Sequence, residues 1–150
     1  MAHHHHHLVD VRTELRSSLR SKGLRATGAR LAVMLLLHEQ QAPMSHEQLM
    51  TGLGKGAFDP ASIWRLLSDL TDAGVLRRMD LGDRIYRFEL FDDCRDVAHD
   101  HGHFLCEDCG DVSCLPEMQL TNAQGQLPAA LVGAQFRVRV TGRCGKCITD

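Results

Sequence analysis

A chain of 150 residues with 43% hydrophobic and 24% charged side chains is ordinary for a globular protein and long enough for one real core or two small ones. No apolar run approaches the roughly 18 residues of a membrane span and no export leader is visible, so a cytoplasmic protein without a membrane partner is expected. The net charge of −2 hides an asymmetry: residues 8–90 hold 12 Lys/Arg against 10 Asp/Glu, residues 91–150 hold 5 against 9, and residues 8–30 alone hold 6 against 2. A basic arm on a near-neutral chain excludes bulk attraction to a polyanion and points to a local contact with one.

The opening "MAHHHHH", residues 1–7, reads as an expression tag and is set aside. "DVRTELRSSLRSKG" then puts Val11, Leu15 and Leu19 on one helical stripe and Arg12, Arg16 and Arg20 on another, ending at Gly23. "TGARLAVMLLLHEQ" is apolar nearly all round, the mark of a helix buried among others. In "SHEQLMTGL", Ser45 and Gln48 stand at capping-box spacing, with Leu49, Met50 and Leu53 facing inward. "DPASIWRLLSDLTDAG" supplies Asp59 as cap, a proline at the first helical position and Gly74 as stop. Ile63, Leu66, Leu67 and Leu70 form its inner face, leaving Trp64, Arg65 and Ser68 nearer solvent. "VLRRMDLGDRIYRFEL" reads as two strands around "LGD", with Ile85, Arg87 and Glu89 alternating against Tyr86, Phe88 and Leu90. Three helices, an exposed fourth and a hairpin predict a winged helix-turn-helix over residues 8–90, which by default reads DNA. Arg65, Trp64 and Ser62 on the fourth helix are the candidates for base contact, and Arg25 and Arg30 near the turn after the first helix for the backbone or minor groove.

From residue 91 the chain turns acidic and loses its period, which places a hinge at 91–98. Beyond it, residues 99–150 read as a small α/β domain of short strands ("HGHFLCE", "DVSCL", "AQFRVRVTG") around one poorly specified helix after Pro116. Such a core needs staples. Cys106-x-x-Cys109 and Cys144-x-x-Cys147 provide four thiols in pairs beside the turn glycines Gly110 and Gly145. Four sulfurs at about 2.3 Å close a tetrahedral shell with no open position, a structural zinc site. Two redox dithiols or disulfides are the competing reading, disfavoured because neither pair adjoins a βαβ pattern and no export signal is present.

His99, His101 and His103 alternate, so on a strand all three share a face, as metal ligands would. Cys94, Glu89 and Cys114 lie near them in sequence. Each taken alone is ordinary, since a lone cysteine is usually a small buried apolar residue. Beside a histidine cluster, ligation becomes an even alternative.

The run "GLRATGARLAV", the helix "DPASIWRLLSDLTDAGVL", the hairpin end "YRFEL", the segment "HGHFLCEDCG" and the closing "GRCGKC" together resemble the ferric uptake regulator family of metal-dependent bacterial repressors, over nearly the whole chain beyond the tag and in the family's order. The resemblance implies a homodimer on double-stranded operator DNA, an N-terminal winged helix, a C-terminal dimerisation domain, a structural four-cysteine zinc and a regulatory metal at the hinge. It places His101 and His103 among the regulatory ligands and Glu89 at the acidic ligand closing the hairpin. The chain departs from the pattern in several places. Pro43 stands where iron and peroxide sensors usually carry a histidine, with His38 and His46 displaced. The longer linker holds Cys94, Cys114 replaces an acidic ligand, and Trp64 replaces a tyrosine of the recognition helix. Gly102 and Phe136 degrade an additional site found in some members.

Thiolate and imidazole in four-coordinate geometry select zinc, whereas iron(II) and manganese(II) favour imidazole and carboxylate with five or six ligands. The expectation is therefore the zinc uptake regulator branch: a zinc-dependent repressor whose second zinc is held by His101, His103, Cys94 and either Cys114 or Glu89, with His99 alongside. An iron-responsive (Fe2+) or peroxide-responsive repressor is the alternative within the family. A thiol redox switch through Cys94 and Cys114 is a third reading. A hydrolytic zinc enzyme is the weakest, since nothing resembles a substrate pocket, and no enzymatic activity is expected.

Overall fold

The computed structural model describes residues 2–91, 102–115, 121–134 and 138–149, with side chains from residue 10 onward. The chain divides into two compact units, Met1–Cys94 and Arg95–Asp150.

In the first unit, helix α1 (Ala2–Ser21) begins earlier than its apolar stripe and takes in the histidine run. Val11, Leu15 and Leu19 are buried as their spacing of four requires. Helix α2 (Gly28–Gln40) starts at Thr27, whose hydroxyl accepts from the Arg30 N–H, and buries Leu31, Val33, Met34 and Leu37. Two residues of strand β1 (Met44–Ser45) lead into helix α3 (His46–Leu53). The capping box forms in full: the Gln48 N–H donates to Ser45 Oγ at 3.2 Å and the Ser45 N–H to Gln48 Oε1 at 2.8 Å. Gly52 lets α3 lie close on α2, since a Cβ there would meet Leu36 Cδ2 at 2.7 Å.

Helix α4 (Pro60–Asp72) is fixed at both ends by local chemistry. The Ser62 N–H donates to Asp59 Oδ2 at 2.8 Å, and proline sits where its missing donor costs nothing. At the far end Gly74 takes φ +69, a left-handed turn suited to glycine, and the Val75 N–H reaches Leu70 O at 2.8 Å. Ile63, Leu67 and Leu70 are buried on its inner face, each contributing about 1.5–3 kcal/mol by area. Trp64 and Arg65 stay exposed.

Strands β2 (Leu76–Asp80) and β3 (Tyr86–Leu90) pair antiparallel from Leu76↔Leu90 to Asp80↔Tyr86, and β1 adds to the other side of β3, giving the order β1-β3-β2. The alternation along β3 does not sort buried from exposed. Ile85 and Tyr86 are both exposed, whereas Phe88 and Arg87 are both buried. The Arg87 guanidinium, on the face opposite Phe88, folds back to Asp83 in the turn and is neutralised there.

The second unit holds strands β4 (His103–Cys106), β5 (Val112–Cys114) and β6 (Arg139–Gly142) in the order β5-β4-β6, a 3-10 turn at Ala129–Leu131 and a short helix α5 (Gly145–Thr149). Strand β4 runs antiparallel to β5 and parallel to β6. Among the described residues, its buried apolar side chains are Leu105, Cys106 and Val112, too few to hold a unit of this size unaided. Of the helix expected after Pro116, residues 116–120 lie outside the described ones, and residues 121–134 form turns and the 3-10 segment instead of an α-helix, as Gly125 and Pro128 in its middle require.

Candidate metal centre and nucleic-acid face

Parallel pairing of β4 with β6 decides where the cysteines meet. The register Cys106↔Gly142 aligns the ends of both strands, and a Cys-x-x-Cys pair begins at or just after each end. After Cys106 the chain turns tightly: the Gly110 N–H reaches Cys106 O at 3.0 Å with Gly110 at φ +74. Cys144 and Cys147 bracket the first turn of α5.

The four sulfurs lie within 4.8 Å of one another, with Cys106–Cys147 and Cys109–Cys144 both at 3.9 Å. A tetrahedron with metal–sulfur bonds of about 2.3 Å has edges of about 3.8 Å, so the cluster already has the size of a tetrathiolate zinc shell. The backbone N–H groups of Cys109 and Cys144 pull the Cys106 thiol down to about 6, while the neighbouring Cys144 thiol and burial push Cys147 up to about 12. Thiols this close oppose one another's ionisation, and a dication among them removes that conflict. Outside the shell, Arg143 joins the two turns through an ion pair with Asp108, and its Nη2 donates to Cys147 O at 2.8 Å. Sequence reading did not find this clasp.

On the same sheet His103 and Cys114 stand directly opposite across the β4–β5 pair, and a ring nitrogen of His103 lies within 4.8 Å of Cys114 Sγ. His103 is buried and Cys114 exposed. Imidazole nitrogen and thiolate sulfur are both donors that zinc takes. Glu89, on β3 of the first unit, is gripped by Arg77 of β2: Nε and Nη2 donate to Oε1 at 2.8 and 2.6 Å. This partner also escaped the sequence reading, because a hairpin turning on "LGD" would set Arg77 opposite Arg87, whereas the observed register sets it opposite Glu89. Cys94, His99 and His101 lie outside the described residues.

On the first unit, the exposed candidates on α4 prove to be differently engaged. Ser62 gives its hydroxyl to Asp59 Oδ2 at 2.9 Å, a capping duty, and the two Ser62 donors hold the Asp59 carboxyl below its usual range. Arg65 projects from the same surface, exposed. Trp64, 42% exposed, has its indole set edge-on against His46 of α3 at 5.4 Å and Phe88 of β3 at 6.0 Å. Arg30 is turned inward, its Nη1 donating to Arg25 O at 3.0 Å and its Nη2 3.6 Å from Asp69. It ties α2 to α4 and supports the turn that displays Arg25.

The model of the ferric uptake regulator family matches residues 21–135. The chain belongs to that family. It is 31% identical over 99 residues to the ferric uptake regulation protein of Haemophilus ducreyi, a match covering 63% of each chain. It is 24% identical over 135 residues to the peroxide-responsive repressor PerR of Staphylococcus epidermidis, covering 87% of this chain and 86% of that one. Among solved structures, a zinc uptake regulator complexed with zinc and DNA superposes with a TM-score of 0.55 at 19% identity, covering 93% of this chain and 94% of the other. Family members are metal-responsive transcription regulators that bind DNA, not enzymes. Among the described residues no helix is long and apolar enough to cross a membrane.

Proposed function

We propose that this family member is a zinc-responsive repressor of the zinc uptake regulator branch. It acts in the cytoplasm as a homodimer that grips a palindromic operator when a hinge site fills with zinc. In this reading residues 8–90 form a winged helix whose α4 enters the major groove, residues 91–98 are the hinge, and residues 99–150 form the dimerisation domain. Cys106, Cys109, Cys144 and Cys147 hold a structural zinc. The regulatory zinc takes His101, His103 and Cys94, completed by Cys114 or Glu89.

The observation that carries the choice of metal is the cross-strand pair of His103 and Cys114. A thiol stands beside the imidazole, and thiolate softness favours zinc over iron(II) or manganese(II). The carboxylate of Glu89 and the names of the curated relatives favour the second reading, an iron- or peroxide-responsive repressor.

A metal bound from both sides of the hinge restricts the angle between the halves. In a two-fold dimer this sets the spacing of two recognition helices against half-sites about one DNA turn apart. The test is operator binding, on a duplex selected from a randomised pool, by tag-free protein stripped at the hinge but retaining its four-cysteine metal. Zinc should restore binding, and Cys114→Ser or His101→Ala should lose that response while remaining dimeric. Restoration by iron(II) alone, with Glu89→Gln as the damaging substitution, would move the chain to the second reading.

A further inference from the structure

Trp64 leaves 42% of its surface open, yet its ring is restrained from two other elements. It meets His46 of α3 at 5.4 Å and Phe88 of β3 at 6.0 Å, with interplanar angles of 73° and 88°. T-shaped pairs of this kind contribute beyond the area they bury. His46 also reaches the backbone of α4, its Nε2 lying 3.0 Å from Pro60 O. A carbonyl oxygen only accepts, so Nε2 carries the proton and donates. That nitrogen is then no metal donor. In an α-helix the carbonyl of residue i accepts from the N–H of residue i+4, which puts Pro60 O in the same turn as Trp64. One imidazole therefore touches the first turn of α4 twice, at its backbone and at its indole.

We infer that His46 is a positioning residue for DNA reading: from α3 it locks the first turn of α4 and the pose of the Trp64 indole, so that the ring meets DNA already fixed. The inference rests on the reading of α4 as the recognition helix. A half-exposed side chain that is free to turn must be immobilised on binding, and that cost is subtracted from affinity. An indole braced on two sides avoids it. The two braces differ in what they can lose. Phe88 is 2% exposed and belongs to the core, whereas His46 is half-buried at the surface. His46 can thus be replaced without opening the core, and its loss should act on recognition more than on folding. Its place at the start of α3, just after the Ser45 cap, gives it a fixed base from which to hold α4.

Trp64 is the single tryptophan of the chain, so its fluorescence reports the brace directly. The experiment uses full-length, tag-free, metal-loaded protein with two probes: a duplex selected from a randomised pool, and poly(dI-dC) as non-specific DNA. In His46→Ala, acrylamide should quench Trp64 more strongly and its anisotropy should decay faster. Affinity for the selected duplex should fall by about fivefold, the cost of ordering one side chain. Binding to poly(dI-dC), which depends on phosphate contacts, should change by less than about twofold. His46→Phe keeps an aromatic ring without the donor, so it should fall between and guards against a folding defect in the first variant. Parental affinity of His46→Ala for the selected duplex overturns the inference, whatever the fluorescence does. An equal loss on both DNAs also overturns it, because a merely structural defect lowers all binding alike. Arg65→Ala separates the two layers. If it relaxes base preference while His46→Ala binds as the parent does, α4 reads DNA and His46 does not position it. If Arg65→Ala and Trp64→Ala both keep the parental preference, the recognition-helix reading falls and the inference with it.

Discussion

Arg87 and Asp83 meet through two parallel hydrogen bonds, Nη1 to Oδ1 at 3.0 Å and Nη2 to Oδ2 at 2.8 Å, and the guanidinium they neutralise is only 1% exposed as a residue. Removing one partner of such a pair leaves an uncompensated charge, which costs more than the pair itself contributes. Asp83→Ala should lose about 3 kcal/mol in denaturant unfolding, the low end of the range for buried pairs because Asp83 keeps some water contact. Arg87→Met added to Asp83→Ala should recover most of that loss. A double variant no more stable than the single would show that the pair is not the source.

The same pair gives a pH signature. The Arg87 hydrogen bonds hold the Asp83 carboxyl below its usual range. A carboxylate with a depressed folded-state pKa adds stability above its unfolded value and gives it up as the pH falls through the folded one. The stability gap between the parent and Asp83→Ala should therefore be constant above about pH 4 and close below it. A gap that stays constant down to about pH 2 would contradict the assignment.

For the four-cysteine cluster, Cys109→Ser should cost the chain one zinc by elemental analysis and unfold the second unit, seen as loss of its near-UV signal and rapid proteolysis beyond the hinge. Structural zinc sites supply folding free energy of about 10 kcal/mol or more, far beyond what the buried apolar side chains among the described residues, Leu105, Cys106 and Val112, replace. The first unit has its own core and should stay helical. A variant with an ordered, zinc-free second unit would refute the structural role.

On DNA, Arg65→Ala should relax preference at one base pair by about 1–3 kcal/mol, and Arg25→Ala should weaken all sequences alike while lowering the salt slope by about one. Competition binding against single-base operator variants at two ionic strengths separates the two. An Arg65→Ala protein with parental preference would mean that α4 does not read bases through this arginine.

Local signals served the sequence reading well where a residue acts on its own turn. The box at Ser45 and Gln48, the Asp59–Pro60 start and the Gly74 stop all operate within four residues, and each appears in the fold. The spacing of the cysteine pairs was equally plain. What escaped depends on partners brought together by tertiary structure. Strand β1 has two residues and no period of its own, and it exists because β3 offers an edge. The burial of Arg87 was not legible, because period-2 alternation says nothing about a neutralising carboxylate in the turn. Ser62 and Arg30 carried the right chemistry for DNA but are committed to Asp59 and Asp69. The parallel match of β4 with β6, which aligns the cysteine pairs, joins segments too far apart for any local pattern to show.

That match also has a consequence for the order in which the chain should fold. Cys106 and Cys147 are 41 residues apart in sequence, and Cys109 and Cys144 are 35. A loop of that size costs about 3 kcal/mol to close before its contacts repay it, and with few apolar contacts to capture it the closure reverses readily. A zinc ion taken up by the four thiols would act as a clasp on that closure. The rate at which the second unit forms should follow zinc supply, whereas α1–α4, assembled largely from near neighbours, fold without waiting for it.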